Sequence, residues 1–207
     1  MRISVFLLVW SLLFVSCGSN TDGGMPDQKA DSSQQKNGVP AYNNRLVFNN
    51  KPGFIGVYNV PEMLSISLLD SASMKDVGFK VAQNYGLLEA EMNEVGAVME
   101  GSPGQINYNN DPDNFKFECF ILIRELPAKQ PKRCKLVFLE AENMLVYNFY
   151  GPYQELYTAY DKVREELKIQ KLKQSGPARE FYITDPSKEK DAKNWLTRIM
   201  VPVTELK

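Results

Sequence analysis

FKFECFILI, residues 115–123, is answered eighty positions later by WLTRIMVPV, residues 195–203. The features leading up to each stretch recur in the same order. An apolar start around Met63-Leu64 matches Met144-Leu145, and an amphipathic helical pattern follows in both. A Gly/Pro break (GSPG from Gly101, SGP from Ser175) precedes a short tyrosine-bearing strand and an Asp-Pro turn (Asp111-Pro112, Asp185-Pro186). The matching features lie 74 to 81 positions apart, which is the signature of an internal repeat. The fold class expected is therefore α+β: a duplicated strand–helix–strand–strand unit, with repeats over about residues 55–126 and 134–207. The expected sheet is curved and antiparallel, with two helices on one face and a cleft on the other. Clefts of that kind hold ligands.

Side chains alternate between the faces of a strand. Phe115, Phe117, Cys119, Ile121 and Ile123 therefore share one face, as do Thr197, Ile199, Val201 and Val203. These uniformly apolar faces are expected beneath the helices. The opposite faces carry Glu118, Phe120 and Leu122 in one copy, and Leu196, Arg198, Met200 and Pro202 in the other. Each holds one charge, and Glu118 aligns with Arg198 in the repeat. Tyr108 and Tyr182 are read as aligned on the preceding strands. The expected ligand-binding set is thus Glu118, Arg198, Tyr108, Tyr182, Phe120, Met200 and Trp195. A direct Glu118–Arg198 pair, or a solvated sheet surface, is the alternative.

The helices are placed by their periodicity. Ser73, with Asp76 three residues on, reads as a weak capping box. Val77, Val81, Tyr85, Leu88 and Met92 then form one stripe. Gly78 and Gly86 weaken this helix by roughly 1 kcal/mol each relative to alanine, a cost that close packing on a sheet could explain. The second helix opens near Pro152 and buries Leu156, Tyr160, Val163 and Leu167. The tyrosines and methionines of both stripes are read as core.

The first residues have another purpose. Met1-Arg2 precedes a mostly apolar run from Ile3 to Val15, too short to span a membrane. Its length and flanks fit a secretory signal, and Ser16 before Cys17 resembles the end of a bacterial lipoprotein signal, in which the cysteine becomes the lipidated first residue. Phe14 stands where leucine is usual. Residues 18–44 are polar and nearly bare of large apolar side chains, as a flexible tether would be. Gly18 is no acidic retention signal. The expectation is a lipid-anchored protein of the bacterial cell envelope, at the outer membrane, with a folded domain over residues 45–207.

Composition removes several functions. There is no histidine, which excludes Ser–His–Asp and Cys–His nucleophile systems, histidine-bound zinc and histidine-ligated haem. No metal or cofactor is expected. A formal net charge of −1 gives no support to nucleic-acid binding. The basic cluster Lys129, Lys132, Arg133 and Lys135 reads as a solvated linker. Cys119 and Cys134 could be joined or stay free, since separation in sequence does not fix geometry.

Three stretches carry a resemblance to a known family. GPYQELYTAYDKVREEL from Gly151, SGPAREFYITDP from Ser175 and TRIMVPV from Thr197 resemble the GyrI-like small-molecule-binding domain. That domain is also the effector-binding module of several bacterial transcription regulators. The likeness covers about Leu136 to Val203 and is weaker over the first copy. It implies the same duplicated fold with a ligand cleft. It also implies binding of hydrophobic, often cationic compounds by aromatic side chains and a buried acid, with Glu118 the best acid by position. The family's final strand usually reads Thr-Glu-Ile, where this chain has Thr197-Arg198-Ile199, so neutral or anionic ligands become credible. No helix-turn-helix segment precedes the domain, and a DNA-binding regulator is not expected.

The leading functional expectation is a membrane-anchored extracytoplasmic protein that captures an amphiphilic or aromatic small molecule between the repeats. An enzyme is less expected. Its form would be a hydrolase of a reactive small molecule, with Glu118 as general base and Trp195, Tyr108 and Tyr182 clamping the substrate. A module that binds an envelope protein partner, its cleft filled by its own side chains, is the third.

Overall fold

β-Branched and aromatic residues are concentrated in β1, β4, β6 and β9 (Gly53–Val60, Phe115–Ile123, Glu142–Tyr150 and Leu196–Glu205), and Gly, Pro and Asp punctuate the connections. The computed structural model describes residues 48–206; the expected signal and tether segments, with Cys17, lie outside the described residues. The order is β1 (Gly53–Val60), β2 (Met63–Ala72), α1 (Val77–Val95), β3 (Met99–Asn107), β4 (Phe115–Ile123), β5 (Lys135–Leu139) and β6 (Glu142–Tyr150). A 3-10 turn (Tyr153–Glu155), α2 (Leu156–Ile169), β7 (Leu172–Gln174), β8 (Ala178–Tyr182) and β9 (Leu196–Glu205) complete it.

One antiparallel sheet runs β1-β6-β9-β8-β3-β4-β2-β5, with β7 beside the end of β9. Read inward from its two ends, it is the same list twice. β8 and β3 meet at the centre, β9 and β4 flank them, then β6 and β2, then β1 and β5. The duplication is thus built around a pseudo-twofold axis between β3 and β8. Sequence reading missed how the outermost strands are shared. β1 pairs with the second copy's β6, and β5 pairs with the first copy's β2.

This exchange bends the sheet. Only Pro61 and Glu62 link β1 to β2, and only Glu140 and Ala141 link β5 to β6. Two linking residues span at most about 11 Å. In a flat sheet β1 and β2 would stand about 29 Å apart, six strand spacings. The sheet must therefore coil until its ends approach. Its inner face is packed solid: Phe120, Phe181, Met144, Met200, Val146 and Ile106 form one cluster with Val60 and Leu139, the last residues of β1 and β5. Among the described residues this cluster fills the centre of the inner face, where short links draw the ends of the sheet together. Gly104 shows how tight the interior is: a β-carbon there would stand 2.4 Å from both the Phe120 ring and the Glu180 carbonyl oxygen.

Both helices lie on the other face, as expected. α1 covers Phe117, Cys119, Ile121 and Ile123 with Leu88 and Met92. α2 covers Leu145, Ile199 and Val201 with Ala159 and Val163. α1 begins at Val77, and the Ser73 hydroxyl bonds Asp76 Oδ2 (2.8 Å) instead of capping a backbone N–H. It ends on Gly96 at φ 71°, with the Ala97 N–H returning to the Met92 carbonyl. Gly78 and Gly86 have open space where a side chain would go, so close packing does not account for them. Cys119 and Cys134 are both buried and free. In the segment before β5, the Arg133 Nε and the backbone N–H groups of Lys132 and Arg133 bond the buried Glu91 carboxylate, and Lys132 pairs with Glu94. That linker is pinned to α1 rather than simply solvated.

Candidate functional site

The seven residues read from the sequence as a ligand-binding set fall in four separate places. Phe120 and Met200 are part of the solid inner cluster. Glu118 sits on the inner face near its rim, where it accepts hydrogen bonds from Ser67 Oγ (2.5 Å) and Tyr108 OH (2.5 Å). Arg198 is 7% exposed and joins neither. Its Nε donates to Asn148 Oδ1 (2.9 Å), its Nη2 to the Asn49 carbonyl and to Asn50 Oδ1, and its guanidinium covers the Phe48 ring at 4.8 Å. Arg198 therefore clamps the segment that enters the domain. Its charge is engaged by these partners, and burial lowers its pKa from the usual guanidinium value. Tyr182 and Trp195 lie on the opposite, helix-bearing face. Tyr108 and Tyr182 are not equivalents: β3 and β8 align with an offset of 75 positions rather than 74, and one residue of slip turns a side chain to the other face.

The offset of 75 leads to a different site. It pairs Gln105 with Glu180 and Asn107 with Tyr182 on the strands, and Tyr85 of α1 with Tyr160 of α2. All six side chains lie on the helix face, around the pseudo-twofold axis. α1 and α2 pack over their own halves of the sheet, leaving the central strands β3 and β8 beneath the seam between them. Gln105 and Glu180 are direct cross-strand partners in that seam.

Glu180 is 4% exposed. Its Oε1 accepts from Asn107 Nδ2 (2.7 Å) and Tyr160 OH (2.6 Å), and its Oε2 from Tyr182 OH (3.0 Å). All three donors are neutral. Burial raises the Glu180 pKa above the usual carboxylate value, and the three hydrogen bonds only partly offset that. A carboxylate of this kind is a charge without a counter-charge.

Aromatic rings surround it. Tyr85, Tyr182, Tyr153 and Trp195 form a row with centroid separations of 6.4, 5.2 and 5.1 Å. The Tyr85 hydroxyl is held by the Gly104 carbonyl (2.6 Å) and the Trp195 Nε1 by the Glu189 carbonyl (2.9 Å), which fixes both ends. Burial pushes the Tyr153 phenol up to about 12, and the Tyr85, Tyr160 and Tyr182 phenols also rise. All four stay neutral at physiological pH. The Tyr85 and Tyr160 rings pack against the two helix-side cores, as their stripes predict, while their hydroxyls reach the Gly104 carbonyl and the Glu180 carboxylate.

The arrangement offers one negative charge and several π faces, the recognition chemistry of an aromatic cation. The Glu180 carboxylate is nearly closed over, so an occupant has to part the aromatic row. Sequence reading passed over Glu180 because it searched the last strand of each repeat for its acid. The available signal was an acidic residue inside REFYITDP, on the helix-facing register of a strand next to the seam. Among the described residues, no group of three or more Cys, Asp or Glu side chains is placed to hold a metal ion.

The GyrI-like small molecule binding domain matches residues 79–204, more than half of the chain, and the chain belongs to that family. No curated protein matches the sequence. Among solved structures, the C-terminal domain of EcmrR superposes with a TM-score of 0.65 at 17% identity, over 73% of this chain and 97% of that one. The EcmrR chain of an EcmrR–DNA complex gives a TM-score of 0.64 at the same identity, and this chain spans only 57% of its length. SAV2435 bound to tetraphenylphosphonium gives a TM-score of 0.52 at 11% identity, over 73% of this chain and 93% of that one. At these identities the likeness is one of fold.

Proposed function

We propose that this GyrI-like domain captures an aromatic or amphiphilic cation between α1 and α2, with Glu180 supplying the charge and Tyr85, Tyr153, Tyr160, Tyr182 and Trp195 the cage. The observation that carries this reading is the Glu180 carboxylate, buried, bonded only to neutral donors and bordered by aromatic rings. A bound cation would neutralise it where water cannot, and each ring it covers adds about 0.5–2 kcal/mol. The argument for neutral or anionic ligands rested on Arg198, whose charge is spent on the entering segment. The fold likeness to SAV2435, bound to a lipophilic phosphonium cation, is in keeping with a cationic occupant.

The domain is further proposed to work outside the cytoplasm, held to the outer membrane by a lipid on Cys17 through the segment 18–44. The support is the sequence alone: the basic start, the short apolar run, Ser16-Cys17 and the polar stretch after it. An anchored binding domain of this kind sequesters or delivers its ligand at the membrane, where amphiphilic cations concentrate. Hydrolysis with Glu118 as base receives no comparable support, because Tyr182 and Trp195, two of its three expected clamps, lie on the opposite face.

The test is binding of aromatic cations against neutral aromatics of equal size, followed by Trp195 fluorescence. Saturable quenching by the cations alone, lost in Glu180→Gln, is the expected result. Equal quenching by both classes, unchanged in Glu180→Gln, would contradict the reading.

A further inference from the structure

Buried polar atoms are nearly always hydrogen-bonded, and each exception asks for a reason. Among the described residues two buried side-chain atoms have no partner, Gln105 Oε1 and Thr197 Oγ1. Both belong to the helix face of strands that flank β8, which carries Glu180. Gln105 lies directly across from Glu180, and Thr197 across from Tyr182.

The orientation of the Gln105 amide follows from its neighbours. The Glu180 carboxylate only accepts, so Asn107 must turn its Nδ2 toward it (2.7 Å). Asn107 Oδ1 then needs a donor and receives Gln105 Nε2 (2.7 Å). The chain of bonds leaves Gln105 Oε1 as the unpaired end. Gln105 is 6% exposed, so water does not cover this oxygen as it would a surface amide. Two directly paired residues of the seam therefore carry acceptors, one charged and one neutral, in pseudo-symmetric positions of the two repeats.

We infer that the ligand is a protonated primary or secondary amine on an aromatic scaffold, with one N–H directed to the Glu180 carboxylate and a second to Gln105 Oε1. This rests on the reading of the seam as a cation site and narrows it. A quaternary ammonium or phosphonium ion would satisfy Glu180 through charge but leave Gln105 Oε1 orphaned. Sites that hydrogen-bond a ligand N–H discriminate against analogues lacking it, because the buried acceptor is left unpaired.

The test compares naphthalen-1-ylmethylamine with its N,N,N-trimethyl derivative by calorimetric titration of the full-length chain and of two variants. In the unmodified chain the amine should bind at least about tenfold tighter, the amount one hydrogen bond to a charged donor is worth. Gln105→Met keeps the length and burial of the side chain without the acceptor. It should weaken the amine and leave the trimethyl compound within about threefold of its original affinity, so that the preference collapses. Glu180→Gln should abolish binding of both. If the trimethyl compound binds the unmodified chain as tightly as the amine, and both are lost in Glu180→Gln, the amine inference is overturned while the cation site stands. If neither binds, or Glu180→Gln changes nothing, the cation site itself falls and the inference with it. The comparison of the two ligands on the unmodified chain needs no variant to fold.

Discussion

Glu180 and Gln105 are cross-strand partners on β8 and β3, equivalent positions of two repeats that meet face to face across the pseudo-twofold axis. One copy carries a carboxylate and the other its neutral amide. The duplicated fold thereby has a single charge beside its pseudo-twofold axis, at the centre of the proposed site. Two carboxylates so close would repel, and one would hold a proton; the amide avoids this and leaves the carboxylate able to act alone.

Removing that charge should cost binding but not folding. Glu180→Gln keeps the size of the side chain and relieves the desolvation that raises its pKa. Binding of an aromatic amine should fall by at least about 2–3 kcal/mol, on the order of a hundredfold or more, which takes it below detection in the titration. The midpoint of denaturant unfolding without ligand should stay level or rise. Titration calorimetry and urea melts check the two halves.

The pH dependence has opposite signs for stability and binding. A carboxyl whose pKa is raised in the fold holds its proton more tightly there than in the unfolded chain. Its contribution to stability is full below the ordinary value of 4.5 and is lost as pH rises through the folded value. Cation binding needs the ionised form and grows over the same window. As pH rises from 4.5 through the raised folded value, aromatic-amine affinity should increase in the unmodified chain, while its unliganded stability declines relative to Glu180→Gln.

Arg198 should behave as a structural residue. Arg198→Ala leaves Asn148 Oδ1 and Asn50 Oδ1 without their Arg198 donor and frees the Phe48 ring. Unfolding should become easier by about 1–3 kcal/mol, and the 48–51 segment should become more open to proteolysis. Affinity for an aromatic amine should not move.

Two glycines should respond in opposite directions to alanine. At Gly104 the new methyl group would meet the Phe120 ring and the Glu180 carbonyl at 2.4 Å, and the chain should lose about 1–3 kcal/mol or more. At Gly86, exposed on α1 with nothing within 4 Å, it should gain about 0.5–1 kcal/mol. Chemical denaturation of the two variants separates overpacking from helix propensity.

Cys119 and Cys134 should be inert in the folded domain. Burial pushes the Cys119 thiol up to about 12 and the Cys134 thiol up to about 11. The thiolate is the reactive form, so neither should react with a disulfide reagent at pH 8 until the chain is unfolded. Rapid labelling of the native protein would contradict the burial of both.

Much of the architecture was legible because it is periodic. The alternation in FKFECFILI and WLTRIMVPV identified the helix-facing side of each final strand, and the spacing of Leu88 with Met92 and of Tyr160 with Val163 identified the helix stripes. The exchange of β1 and β5 was not legible. It depends on which distant strand completes each edge, and no local pattern encodes that. The inner face then misled: Phe120 and Met200 beside Glu118 and Arg198 looked like a pocket lining, but the closure forced by Pro61-Glu62 and Glu140-Ala141 turned that surface into core. The proposed site is not legible from the last strands, where Glu118 and Arg198 stand on the inward register; Glu180 stands on the preceding strand, and a one-residue slip between Tyr108 and Asn107 obscures its helix-facing register. That the Tyr85 and Tyr160 hydroxyls reach the Gly104 carbonyl and the Glu180 carboxylate is a tertiary property that a helical stripe does not reveal.

The most direct test of the cation site sets its acid against the one the sequence favoured. Naphthalen-1-ylmethylamine should be titrated into the unmodified chain, Glu180→Gln and Glu118→Gln under identical conditions. The amine is expected to bind the unmodified chain and Glu118→Gln alike, because Glu118 is occupied by Ser67 and Tyr108 on the other face. Glu180→Gln should show no binding. Loss of binding in Glu118→Gln with full retention in Glu180→Gln would contradict the account and return the site to the inner face of the sheet.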